Sequence, residues 1–171
     1  ELICTIADRL EAHHARHIVL DPVMVATSGA KLIDDDAITA LTERLFPLAE
    51  VITPNIPETE VLLDLIAHRG ASLDPAKWAE DTDRESTRIV SDTAMEDAGR
   101  TVSEHYGCAV LVKGGHVVAD ASDLLYADGV ATWIHGVRVD NPNTHGTGCT
   151  LSSAIASCLL YTSDAADDSL R

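Results

Sequence analysis

The sequence predicts an α/β fold: a mostly parallel sheet sandwiched by helices, with a C-terminal antiparallel hairpin. Three observations carry this. Short apolar runs at 18–20, 51–53 and 109–112 alternate with longer stretches of helical periodicity, the pattern of buried strands joined by crossover helices. Each run stops at a loop-forming residue: Asp21-Pro22, Pro54 and Gly114-Gly115. Two further runs, 124–126 and 130–135, flank Asp128-Gly129, a strong signal for a tight hairpin.

The elements follow in order. Leu2, Ile3, Ile6, Ala7 and Leu10 recur at helical spacing and predict a helix over 2–15. Residues 18–20 are a buried strand, and Ser28-Gly29 marks a loop. Asp34 is placed to cap a helix reaching about Phe46, with Ile38, Leu41 and Leu45 on one face. After the strand 51–53, Pro57 suits the first residue of a helix to about Ala67. Residues 69–90 are polar and charged, with Gly70 and Pro75, and are expected to form loop and irregular turns. A helix over about 92–105 leads into the strand 109–112.

Composition narrows the function classes. With 171 residues and 46% hydrophobic content, the chain has room for one domain with a core. No apolar run reaches the roughly 20 residues needed to span a bilayer, and the start has no basic signal-peptide region. A cytoplasmic setting is expected. The net charge of −16 argues against nonspecific nucleic-acid binding. The four cysteines, at 4, 108, 149 and 158, form no C-x-x-C pair and suggest no disulfide framework. His13, His14 and His17 read as a solvated surface, because a metal site needs more convergent ligands.

The stretch with most chemical content is Asn143-Thr144-His145-Gly146-Thr147-Gly148-Cys149-Thr150, which precedes a run of small and apolar residues. A glycine-rich loop feeding a helix start leaves backbone N–H groups available and aims the helix dipole outward, a cradle for an anion. Cys149 falls in the first turn, a position that favours thiolate. The alternative is a tight turn before a buried helix, with a structural cysteine. In parallel sheets ligands gather at the carboxyl ends of strands. The loops at 21–24, 53–58 and 113–116 would then share a rim with this one. That rim carries two carboxylates, an ammonium and an anion cradle, the parts that phosphoryl transfer needs.

Those four motifs, in that order, resemble the ribokinase-like kinases. They resemble most closely the hydroxymethylpyrimidine/phosphomethylpyrimidine kinases of thiamine biosynthesis, over about residues 1–157. The residues carrying the resemblance are Asp21-Pro22-Val23-Met24 through Gly29, Thr53-Pro54-Asn55-Ile56-Pro57-Glu58, Val112-Lys113-Gly114-Gly115-His116 and 143–150. The resemblance implies ATP-dependent phosphorylation of the pyrimidine hydroxymethyl group and then of its monophosphate, with Mg2+, in a homodimer. Pyridoxal kinase of the same superfamily is the alternative enzyme, and an inactive nucleotide-binding fragment the alternative of another class.

The resemblance gives Cys149 the role of proton acceptor from the substrate hydroxyl, and Gly146, Thr147 and Gly148 backbone donors to the transferring phosphoryl group. Glu58, with Asn55, matches an Asn-x-x-Glu motif that holds magnesium through water. Asp21 is a second candidate near metal, or a cap on the turn before Pro22. Lys113, Asn55 and Thr144 are candidates for the nucleotide, and a solvated lysine is the alternative for Lys113. Val23 is a candidate pyrimidine contact, with core packing as its alternative. His116 and His145 are expected to be loop structure.

Two family parts are absent: an N-terminal glycine-rich strand with a substrate lid, and later helices that pack on adenine. Residues 1–157 are therefore expected to be a partial kinase domain, poorly stable and inactive alone. Residues 158–171 are expected to be a non-native tail, since Cys158 to Asp167 reads as a sequencing-library transposase adapter translated in one frame.

Overall fold

The computed structural model describes residues 1–25, 32–67, 87–114, 121–136 and 146–168. The elements are α1 (Leu2–Ala12), β1 (Val19–Leu20), α2 (Asp35–Ala40), β2 (Val51–Ile52), α3 (Ile56–Ala67), α4 (Asp92–Tyr106), β3 (Ala109–Val112), β4 (Ala121–Ala127), β5 (Val130–Gly136) and α5 (Thr147–Asp168). The five strands form one sheet in sequence order, with β1, β2 and β3 parallel and β4 and β5 antiparallel. This is the mixed sheet that the alternation and the hairpin signal predict.

Of the parallel strands, β1 and β2 are each one residue shorter than expected, while β3 matches its expected range. Their hydrogen bonding nonetheless runs past the strand ends. Glu50 N donates to the Ile18 carbonyl, Thr53 N to Leu20, Ala109 N to Glu50 and Lys113 N to Pro54, at 2.8–3.0 Å. Beyond the strand ends Asn55 pairs with Lys113, and residues 21, 53 and 113 all fall at the carboxyl edge of the sheet.

The helix starts are set by local chemistry. Asp34 accepts the Ala37 N–H at 2.7 Å and Ser91 the Ala94 N–H at 3.2 Å, each satisfying a first-turn donor. Gly107, at φ +72°, ends α4 in the left-handed conformation. Pro57 falls one residue later than expected, in the second position of α3, where its missing N–H still costs nothing. The helix expected over 34–46 changes pitch instead, from α2 through a π-helical turn (Leu41–Leu45) to a 3-10 turn (Phe46–Leu48).

Two expectations about packing change. In α1 only Ala7 is buried, with Ile3 and Leu10 packed against the core, while Leu2 and Ile6 are exposed. The buried stripe is thus 3, 7 and 10, and α1 ends at Ala12, short of His13 and His14. The sheet is also not covered on both faces throughout. β3 is buried at Val110, Leu111 and Val112, but β5 is exposed at every position except Trp133. Trp133 donates to Glu96 of α4 at 2.6 Å, so α4 covers one face of the hairpin. Val130 and Ile134, alternating with Trp133 along the strand, stand exposed.

The core gathers Met24, Ile38, Phe46, Ile52, Leu62, Met95, Val102, Val110, Val112 and Leu124, all at most 1% exposed. Phe46 meets Tyr106 edge-on at 4.8 Å. Within 69–90, residues 69–86 lie outside the described residues. Ile89 is buried, and its N–H donates to Glu60 of α3.

Gly114, just past β3, is packed so closely that a Cβ would lie 1.8 Å from the Ser122 carbonyl oxygen, while its N–H donates to Asp123 at 2.9 Å. Gly114→Ala is therefore expected to lower stability by about 1–3 kcal/mol, the usual cost of overpacking, as read by urea denaturation.

Candidate active site

Three neighbouring parallel strands each deliver one polar residue to the same place. Asp21 follows β1, Thr53 follows β2 and Lys113 follows β3. Lys113 Nζ donates to Asp21 Oδ1 at 2.8 Å, and Thr53 Oγ1 donates to the same oxygen at 3.1 Å. The Lys113 and Asp21 side chains are only 18% and 12% exposed. The solvated-lysine reading of Lys113 is thus overturned: the ammonium is held inward by the carboxylate.

Glu58 stands in the first turn of α3 and is 2% exposed. Its Oε2 accepts the Asn55 N–H at 2.9 Å, while Asn55 Oδ1 accepts the Glu58 N–H at 2.8 Å. This is a reciprocal capping box. Glu58 Oε1 also faces the Met24 N–H at 3.4 Å. Burial pushes the Glu58 carboxyl above its ordinary range. The Asn55 N–H, the Lys113 charge and the Met24 N–H pull it down, and Asp21 pushes it further up. Glu58 thus senses both members of the ion pair.

The start of α5 closes the arrangement. Gly146 has φ +83°, which favours glycine, and its carbonyl accepts both the N–H and the hydroxyl of Thr150, at 3.0 and 2.9 Å. A Cβ on Gly148 would lie 3.1 Å from Asp21 Oδ2 and 3.2 Å from Lys113 Nζ. Glycine therefore lets the helix start come down onto the ion pair. Cys149, the next residue, is exposed, and so is most of the described surface of α5. A buried helix with a structural cysteine is not what forms here. The structural cysteine is Cys108, buried, its thiol pushed up to about 11 by desolvation.

The structure thus brings together Asp21, Lys113, Gly148, Asn55 and Glu58, with Gly146, Thr147 and Cys149 on the same helix start. Val23 is half exposed, so core packing does not account for it; Met24 beside it is the buried residue. Thr144, with Asn143 and His145, lies outside the described residues, as do His116 and the loop at Ser28-Gly29. His13 and His14 are exposed, and His17 pairs with Glu50 at 3.0 Å. Among the described residues no three His, Cys, Asp or Glu side chains form a metal-holding group. The residue that sequence reasoning did not single out is Thr53. It lies inside a quoted motif, but nothing in the chain order says that its hydroxyl reaches a neighbouring strand.

Comparison with known proteins shows the family. The phosphomethylpyrimidine kinase family model matches residues 1–82 and 79–168. The chain belongs to this family. Over 160 residues it is 36% identical to the hydroxymethylpyrimidine/phosphomethylpyrimidine kinase of Haemophilus influenzae, covering 91% of this chain and 51% of that protein. It is 42% identical over 160 residues to the thiamine biosynthesis bifunctional protein ThiED of Geobacter sulfurreducens, covering 93% of this chain and 28% of that one. The chain thus spans about half the length of the single-function relative and less of the bifunctional one.

Solved structures of the same family and its neighbours share the fold. A phosphomethylpyrimidine kinase from Clostridium difficile superposes with a TM-score of 0.65 at 30% identity, over 92% of this chain and 54% of that one. A Bacillus subtilis pyridoxal kinase in an ADP complex gives 0.66 at 27%, over 91% and 52%. No helix among the described residues is long and apolar enough to cross a membrane.

The raised Glu58 carboxyl makes a test independent of function. Its folded form holds the proton more tightly than the unfolded chain. Its contribution to stability is therefore full below the ordinary value of 4.5 and is lost as pH rises through the folded value. Relative to Glu58→Gln, the wild type is expected to lose stability as pH rises from 4 to 8, as measured by denaturant unfolding. Parallel curves would show that burial of this carboxylate is not felt.

Proposed function

We propose that this chain is the catalytic-edge half of a kinase that transfers the γ-phosphoryl group of ATP to 4-amino-5-hydroxymethyl-2-methylpyrimidine and then to its monophosphate. The observation that supports it best is the Asp21–Lys113 pair lying under the glycine-opened start of α5. Phosphoryl transfer demands positioning and charge stabilisation more than covalent chemistry. A paired ammonium beside a helix N-terminus supplies both.

In this reading Lys113 turns from Asp21 towards phosphate oxygens. The first-turn N–H groups of Thr147, Gly148 and Cys149, with Gly146 shaping the turn, receive the charge of the transferring group. Thr144 and Asn55 line the nucleotide side and Val23 the pyrimidine side. Cys149 Sγ takes the proton of the substrate hydroxyl.

The carboxylates suit Mg2+, a hard cation that keeps several waters and takes one or two protein carboxylates together with phosphates. Asp21 would face it. Glu58, whose oxygens already receive backbone N–H groups, would act on its waters. When bound, the cation neutralises charge on the phosphates. The family resemblance implies a homodimer when the protein is full length.

Pyridoxal is the second substrate to test. The likeness to the Bacillus subtilis pyridoxal kinase favours it, whereas the identity to the Haemophilus influenzae enzyme favours the pyrimidine. The assay grafts this chain in place of the matched region of that relative and measures turnover of both substrates. Pyrimidine phosphorylation is the expected outcome; turnover of pyridoxal alone would overturn the assignment.

The same graft tests the proton acceptor. Cys149→Ser and Cys149→Ala are expected to lower kcat by about 10²–10⁴, the usual loss for a general base. Cys149→Asp restores an acceptor and is expected to retain more activity than either. Serine at wild-type rate would remove Cys149 from the proton transfer. In alkylation at neutral pH, Cys149 is expected to react faster than the buried Cys108, and bound nucleotide to slow it.

A further inference from the structure

Asp21 has two carboxylate oxygens, and the structure treats them differently. Oδ1 receives both donors, Lys113 Nζ at 2.8 Å and Thr53 Oγ1 at 3.1 Å. Oδ2 faces Gly148 at the start of α5. Thr53 is 1% exposed and sits on the middle strand of the three, between the ends that carry Asp21 and Lys113. Its backbone is clamped on both sides. Its own N–H donates to the Leu20 carbonyl at 3.0 Å, and the next carbonyl, that of Pro54, accepts from Lys113 N at 2.8 Å.

A buried threonine hydroxyl is ordinarily satisfied by a nearby backbone carbonyl, as Thr59 is by the Asn55 carbonyl. Thr53 instead donates across strands to a carboxylate. A side chain so fixed sets the rotation of the Asp21 carboxylate. Without that donor, the flexible Lys113 is the side-chain donor to Asp21 that remains among the described residues, and the carboxylate is freer to turn either oxygen towards α5.

We propose that Thr53 is a positioning residue. In the ligand-free chain it occupies Asp21 Oδ1 together with Lys113, and when Lys113 turns to a ligand Thr53 keeps its hold on Oδ1, leaving Oδ2 as the oxygen offered at the start of α5. The inference rests on the nucleotide-site reading above for its ligand, but not for its geometry. Thr53 touches no reacting atom in this scheme; it acts through Asp21 and, through Asp21, on Lys113.

The test separates the two. The sequence has three lysines, Lys31, Lys77 and Lys113, so reductive methylation read by peptide mass spectrometry follows Lys113 alone in the 171-residue chain. Asp21→Asn calibrates the rate for a weakened pair. Thr53→Val, equal in shape but without the hydroxyl, is expected to speed Lys113 labelling several-fold. Thr53→Ser, which keeps the hydroxyl, is expected to stay within about twofold of wild type even if its Tm falls. A folded Thr53→Val with wild-type labelling overturns the proposal. Should Thr53→Val fail to fold, a folded Thr53→Ser that labels as fast as Asp21→Asn overturns it, and one that labels as wild type supports it.

A second arm titrates Mg2+–ADP calorimetrically into the grafted enzyme described above and its variants. Weaker binding to Thr53→Val, restored in Thr53→Ser, supports the role towards nucleotide, and equal binding in all three overturns that role. Absence of ADP binding to the wild type, with the labelling pattern intact, would sink the nucleotide reading and leave the positioning of Asp21 standing.

Discussion

The candidate site depends on one ion pair. Lys113 and Asp21 come from strands that are not neighbours, β3 and β1, and meet across the end of β2. A pair this little exposed repays its desolvation only when geometry is good and the remaining polar atoms are satisfied. Here the parallel ladder supplies the geometry, since its hydrogen bonds continue past the ends of β2 and β3. Thr53 supplies a second donor to the shared oxygen. The helix start at Gly148 fits over the pair because it carries no Cβ. Moving any of the three strands by one residue would take apart the pair, the threonine contact and the seat of α5 together.

Glu58 shows how one side chain serves structure and site. As the third residue of a capping box it fixes the entry of α3, and it does so from a buried position that raises its affinity for a proton. Stability of the apo chain would favour a neutral group there. A carboxylate is the choice that suits a cation nearby. The conflict between local stability and charge is of the kind that functional sites carry. Because a substitution here would disturb the cap and, in the proposed reading, the cation, its effect on activity and its effect on pH-dependent stability have to be read separately.

Membership in the phosphomethylpyrimidine kinase family and the likeness to a pyridoxal kinase are compatible. Both kinds of enzyme act on a small heteroaromatic ring, and the described site is built from charges and backbone, groups suited to phosphate rather than to a ring. Substrate choice therefore falls to contacts other than the ion pair. Among the candidates only Val23, half exposed beside Asp21, has the character to touch a ring.

The sequence by itself determined the order of elements, the mixed sheet and the loops that form the rim, because strand breakers and periodicity are local signals. Asp34 as a cap, Asp128-Gly129 as the hairpin turn and Gly146 as the opening of α5 were all legible in that way, whereas the Ser91 cap was not singled out. The nine-residue reach from Gly114 to Asp123 was not, nor was the choice of Leu2 and Ile6 as exposed and Ile3, Ala7 and Leu10 as inward. Such choices depend on which neighbour an element docks against. The tertiary structure alone decided that Lys113 turns inward, that both it and Thr53 share one oxygen of Asp21, and that the cysteine at the start of α5 is exposed while Cys108 is buried. The physical reason is common to all of these. Each is a contact between residues 32 or more apart in the chain, or a burial that such contacts impose, and strand register brings them together where no sequence spacing records it.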